Sequence, residues 1–165
     1  MDTYTKRNKL VHGYLEEIKL ENNIRDYYKG RSILVTGGAG AIGSNLIIAL
    51  SQLVGEEGNI IVMDNLSSIK TNNPWNVTPL SNVMFVEGDV RNDIDLKRVF
   101  KENVSMVFHL AAFFANQNSV DYPETSAEVD IIGQIKLLEY SRLANIDRFI
   151  YASSGCAIYG SYGQM

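Results

Sequence analysis

The chain has 165 residues, 45% of them hydrophobic, which suits one packed domain and falls short of two of ordinary size. Its formal net charge of −4 removes the electrostatic basis for binding nucleic acid, and no apolar run approaches the roughly 20 residues of a membrane span, so neither partner is expected. The polar amino terminus lacks the apolar core of a secretory signal, and the single cysteine, Cys156, excludes an internal disulfide, which together point to a reducing cytoplasm.

Residues 1–29 come first. Leu10, Tyr14 and Ile18, with Val11 and Leu15, follow a helical period, with Lys and Glu on the other face and Gly13 as a weak point. This is an N-terminal helical extension, expected to dock on its own protein, with a partner-binding arm as the alternative. Residues 30–165 form the second unit. An apolar run at 32–35 leads into Thr36-Gly37-Gly38-Ala39-Gly40-Ala41-Ile42-Gly43 and then into an apolar helical run at 42–53. A strand, a glycine turn and a helix N-terminus place free backbone N–H groups where a pyrophosphate can sit. Gly37 permits the turn, Gly40 lets the backbone approach the anion, and Gly43 lets the helix pack close on the strand, with Ala41 and Ile42 at the helix start.

A second strand at 59–63 ends in Asp64, 21 residues beyond Gly43. That is about the ~20-residue spacing at which a carboxylate meets the adenosine ribose. Asp64 would accept hydrogen bonds from both ribose hydroxyls and repel a 2′-phosphate. No Arg or Lys follows it in Asn65-Leu66-Ser67-Ser68, so NAD is expected over NADP. A long loop at 69–81 precedes further strands at 83–86, 105–110 and 147–152, with helical stretches at 93–102 and 124–143 between them. In the last helix Val129, Ile132, Ile135 and Leu138, with Ile131 and Leu137, recur near the helical period. This alternation predicts an α/β fold: a Rossmann-like, doubly wound parallel sheet with helices on both faces. Ligands bind beyond the carboxyl ends of such strands, here marked by Gly37, Asp64, Asp89, Ala111 and Ser153. No metal site is expected, because neither His12 nor His109 belongs to a cluster with ligand spacing; a structural role is expected for His109.

These residues resemble an extended short-chain dehydrogenase/reductase of the NAD-dependent epimerase/dehydratase family, and most of all its UDP-glucose 4-epimerases. Residues 36–43 are similar to the family's T-G-x-x-G-x-x-G fingerprint, and Asp64-Asn65-Leu66-Ser67-Ser68 to a D-N-L-S-S run that wraps the adenosine end. Gly88-Asp89-Val90-Arg91 resembles the element in which the Asp side chain and the next backbone N–H, here Val90, read adenine. His109-Leu110-Ala111-Ala112 matches a segment whose backbone, at Leu110, Ala111 and Ala112, lines the cofactor. Ser153-Ser154-Gly155-Cys156-Ala157-Ile158-Tyr159-Gly160 looks like the stretch carrying the catalytic hydroxyl, which by that match is Ser154, with Ser153 second. In the family the loop at 69–81 lies near adenosine, so Trp75 either shields the adenine or packs locally. Cys156 beside Ser154 is either a reactive thiol or a small residue in a packed loop.

The resemblance also shows departures. The family's N-x-x-G-T reads Asp130-Ile131-Ile132-Gly133-Gln134 here, and its Tyr-x-x-x-Lys pair has no match at the expected spacing. Tyr162 stands as a third catalytic candidate, as base, although it follows Tyr159-Gly160 closely. The chain is therefore expected to represent the cofactor-binding half of a longer enzyme, its C-terminal part missing and its activity alone slight. In the family, the helix bearing that pair packs beside the 124–143 helix and forms much of a homodimer interface. Without it, Ile131, Ile135 and Leu138 are expected to lose cover, so that the 165-residue chain aggregates or recruits a partner. The resemblance implies a nucleotide-sugar substrate, oxidised at C4 by NAD and reduced again on its other face, with Ser154 hydrogen-bonding the C4 oxygen. Dehydratases and decarboxylases carry an acid near the serine element; Gly155-Cys156-Ala157-Ile158 has none, which favours an epimerase or a simple ketoreductase. A non-catalytic NAD-binding module is the alternative of another class.

Overall fold

The computed structural model describes residues 3–68, 80–114 and 116–154. Five β-prone runs become strands: β1 (Ser32–Thr36), β2 (Asn59–Asp64), β3 (Val83–Glu87), β4 (Met106–His109) and β5 (Arg148–Tyr151). They form one parallel sheet in the order β3-β2-β1-β4-β5. The chain thus winds outward from β1 in one direction, then returns to lay β4 on its other side. The Rossmann-like, doubly wound α/β architecture is the expected one, and the strand order reverses between β1 and β4, where such sheets open a crevice.

Helices cover both faces, so the central strands have no polar side. Ile33, Val35, Ile60, Val62 and Met106 point to one face, under Ile47, Leu50 and Val54 of α3 (Ala41–Val54). Leu34, Ile61, Met63 and Val107 alternate with them and point to the other, under Leu96 and Val99 of α4 (Asp93–Phe100), together with Val129 and Leu137. The two-residue alternation of a strand therefore builds two cores from one apolar run.

The N-terminal segment folds as two helices, α1 (Thr3–Glu17) and α2 (Asn22–Tyr28), where one continuous period was expected. The chain breaks between them at Lys19, whose φ of 45° takes it out of the helical region. Both helices pack on α3. Leu15 is buried there, and Tyr27 and Tyr28 extend the core beneath α3, while Leu10, Tyr14 and Ile18 face outward.

The expected 124–143 helix is present but not uniform. It comprises α6 (Pro123–Ala127), a π-helical turn at Glu128–Gly133 and α7 (Gln134–Leu143), preceded by an unforeseen short helix, α5 (Asn116–Asp121). Its inward residues are Val129, Gly133, Leu137 and Ser141, four apart, and two of them are not hydrophobic. Gly133 is needed there because a Cβ would lie 2.7 Å from Val90 Cγ2. Ile131, Ile132, Ile135 and Leu138 all face outward, between 42% and 57% exposed.

Candidate functional site

Gly37 follows β1 with φ of +69°, a conformation that L side chains rarely adopt, and its N–H donates to the Met63 carbonyl at 2.9 Å. A Cβ there would stand 2.6 Å from the Ala111 nitrogen, so the turn and the segment after β4 touch backbone to backbone. Gly40 then caps α3 without any side-chain bond, and α3 has no acidic residue in its first turn. The opening N–H groups of a helix have no intrahelical acceptor. Those of Ala41, Ile42 and Gly43 belong to residues that line a cavity of about 450 Å³.

That cavity lies beyond the carboxyl ends of β1 to β4. It gathers Gly37, Gly40, Ala41, Ile42 and Gly43 with Asp64, Asn65, Asp89, Val90, Leu110, Ala111 and Ala112, so that all twelve cofactor-contact residues expected from the sequence meet on one wall system. It also takes in Phe113, Phe114 and Ala152, which the sequence did not single out. No Lys or Arg is among its described lining residues.

The two strand-end carboxylates differ in how much of their capacity remains. Asp64 accepts the Ala39 N–H at 2.9 Å through Oδ2 and the Leu66 N–H at 2.8 Å through Oδ1. A carboxylate has about four acceptor positions, so two remain open on this cavity-lining residue. Asp89 is filled. Oδ1 accepts the Arg91 backbone N–H and Nε, at 2.9 and 3.0 Å, and Oδ2 accepts Arg91 Nη2 and Asn65 Nδ2, at 2.8 and 2.9 Å. The Arg91 guanidinium holds the Asp89 carboxyl down at about 2. Arg91 also donates to Glu128 in the π-helical turn at 3.0 Å. This clamp was invisible as an interaction, although Asp89 and Arg91 are only two residues apart.

Asp130, the family's Asn position, accepts the Phe113 N–H at 2.8 Å and the Ser126 hydroxyl at 3.1 Å. The π-helical turn thereby ties down the cavity-lining segment after β4. Ser153 and Ser154 follow Ala152 beyond β5 and are exposed; neither is among the described lining residues. Tyr162, Trp75 and Cys156 lie outside the described residues. No metal-ligand cluster occurs among the described residues.

His109, at the end of β4, is 2% exposed, with Nδ1 2.7 Å from Thr36 Oγ1. Burial lowers its pKa to about 4, against the opposing pull of the Asp130 carboxylate. It is therefore neutral at pH 7, under the floor of the site. The unfolded chain takes up this proton near pH 6.5 and the folded chain only near 4, so stability is full above about 6.5 and falls as pH drops between those values. Between pH 7.5 and 5 the loss is about 2 kcal/mol. Urea unfolding across that range should show it in the wild type and not in His109→Asn; parallel curves for the two would contradict it.

The model of the NAD dependent epimerase/dehydratase family matches residues 33–165. The chain is 48% identical to the solved structure of epimerase Mth375 from Methanothermobacter thermautotrophicus, covering 87% of this chain and 41% of that one with a TM-score of 0.77. It is 35% identical to the UDP-glucose 4-epimerase of Mycolicibacterium smegmatis over 78% of this chain and 40% of that protein. It is 33% identical to Thermus thermophilus UDP-glucose 4-epimerase, solved in complex with NAD, covering 81% and 40% of the two chains with a TM-score of 0.67. The chain thus spans about two fifths of the length of the relatives it matches. Because the family match runs from the first core strand through the glycine turn and both strand-end carboxylates to the last strand, the chain belongs to the NAD dependent epimerase/dehydratase family.

Proposed function

We propose that this chain is the NAD-binding half of a nucleotide-sugar epimerase of the UDP-hexose 4-epimerase kind, acting in the cytoplasm. The observation that carries the proposal is the one cavity that joins a glycine-capped helix start to a half-filled carboxylate at the end of β2. A dinucleotide needs both, and the residues fit it: a Cβ on Gly43 would lie 2.6 Å from the Gly37 oxygen, closing the turn that brings the N–H groups forward. Bound NAD would supply reversible hydride acceptance from a sugar carbon.

The chain's own residues divide the remaining work. The N–H groups of Ala41, Ile42 and Gly43 would hold the pyrophosphate at the positive end of α3. Asp64 would accept the two adenosine ribose hydroxyls in its two open positions. Asp89 and the Val90 N–H would read adenine, with the adenine amino group replacing Asn65 at the otherwise filled carboxylate. Leu110, Ala111 and Ala112 would line the path towards β5 with backbone and small side chains, which leaves room for a flat ring system. Ser154, or Ser153 beside it, would hydrogen-bond the sugar C4 oxygen as charge develops there.

The substrate would be a nucleotide sugar, and the whole protein a homodimer. The outward apolar face of Ile131, Ile135 and Leu138 supports a self-association surface, since such a stripe is costly to leave in water. Sedimentation of the whole protein at the monomer mass would contradict that. The activity is tested by incubating the whole protein with NAD and UDP-glucose and resolving the sugars. UDP-galactose supports the epimerase; a 4-keto-6-deoxy sugar would place the protein with the dehydratases instead.

A further inference from the structure

The cavity that would receive a pyrophosphate has no described lining cation and has two carboxylates, Asp64 and Asp89. Positive charge nevertheless stands directly behind it. Arg7, on α1, donates through Nε to Asn45 Oδ1 at 2.8 Å and through Nη2 to Ser44 Oγ, both in the opening turns of α3. Those two side chains converge on one atom. Asn45 Nδ2 donates to the Ala41 carbonyl at 2.8 Å, and Ser44 Oγ donates to the same carbonyl at 3.4 Å. The Ala41 carbonyl shares its peptide with the Ile42 N–H, and Ile42 lines the cavity. Hydrogen bonds to the oxygen of a peptide polarise its N–H and strengthen it as a donor.

The geometry also aligns α1 with α3. Arg7 meets Ser44 and Asn45, and five residues on His12 Nδ1 lies 3.1 Å from Gln52 Oε1, so the two helices run in the same direction. Their positive ends lie together on the cavity side, and neither helix has an acidic residue in its first turn.

We propose that Arg7 is a positioning residue for the pyrophosphate: the N-terminal helix carries a guanidinium to the back of the first turn of α3, where it polarises the Ile42 N–H and couples docking of α1 to dinucleotide binding. This rests on the NAD-binding proposal above. Coupling of this kind is reciprocal, so NAD steadies α1 by as much as Arg7 strengthens NAD binding.

The test compares NAD, ADP-ribose and adenosine binding to the full chain by calorimetry, in the wild type, Arg7→Gln and Arg7→Lys, at two salt concentrations. Arg7→Gln should weaken NAD and ADP-ribose roughly fivefold, leave adenosine unchanged and flatten the salt dependence. Arg7→Lys keeps the charge but cannot fork between Ser44 and Asn45, so it should retain the salt dependence with part of the affinity. Hydrogen exchange of residues 5–17 should slow with NAD in the wild type and not in Arg7→Gln. Equal weakening of all three ligands would show a brace with no anion-specific role and would overturn the proposal, as would unchanged NAD affinity. A wild-type chain that binds no NAD at all would instead sink the underlying function, and this proposal with it.

Discussion

Asp64→Ala is expected to weaken NAD binding roughly 100-fold, because it removes two hydrogen bonds to a charged acceptor, together about 3 kcal/mol. Asp64 lines the cavity with two acceptor positions open, while the other two hold the Ala39 and Leu66 N–H groups. Alanine therefore also removes one of the glycine turn's bonds to β2, leaving that of the Gly37 N–H to the Met63 carbonyl, which adds to the loss. Asp64→Asn separates the two effects: it retains one oxygen acceptor and removes the negative charge. Its NAD affinity should fall less than that of the alanine variant, and its discrimination against NADP should narrow, because a 2′-phosphate no longer meets a carboxylate. Isothermal titration with both cofactors reads this directly. An Asp64→Asn variant that kept the wild-type ratio of the two affinities would show that the carboxylate does not face the ribose.

Gly37→Ala should destabilise the fold by about 3 kcal/mol or more, the sum of left-handed backbone strain and a collision with backbone that cannot move aside. The collision is at 2.6 Å from the Ala111 nitrogen and 2.7 Å from the Leu110 carbonyl carbon. Gly55 supplies a comparison without the collision. Its φ is also +69°, with ψ of −166°, and a Cβ there meets nothing within 4 Å. Gly55→Ala carries backbone strain alone, about 1–3 kcal/mol. The urea midpoint of Gly37→Ala reads strain together with the close approach between the glycine turn and the segment after β4. A Gly37→Ala midpoint equal to that of the wild type would mean that the two segments are not packed as described.

Much of the fold was legible because a parallel sheet covered on both faces writes itself as short apolar runs. β1 and β2 carry Ile, Leu, Val and Met without a polar face, and each ends where the polarity changes, at Thr36 and Asp64. That the twelve residues expected at the cofactor would line one cavity was legible for a related reason. They depend on backbone N–H groups, glycine turns and strand ends, which spacing along the chain already determines. What stayed hidden depends on contacts across the sheet. The break at Lys19 has no glycine or proline to mark it. Within residues 124–143 the apolar period pointed to Val129, Ile131, Ile132, Ile135, Leu137 and Leu138; the core took Val129 and Leu137 of these, together with Gly133 and Ser141, because Val90 needs the space that Gly133 leaves. A π-helical turn has no sequence signature apart from such a fit. The Arg91 clamp on Asp89 is side-chain geometry between residues two apart, and the bonds of Arg91 to Glu128 and of Arg7 to Ser44 and Asn45 join neighbours 37 or 38 positions away.

The most direct measurement is calorimetric titration of NAD into the full chain, with Asp64→Ala run alongside and cooperative unfolding checked for both. Saturable binding at one site per chain, lost or weakened roughly 100-fold in the variant, is the predicted result. A chain that unfolds cooperatively but takes up no NAD, or an Asp64→Ala variant that binds as tightly as the wild type, would contradict the assignment of this cavity to the dinucleotide.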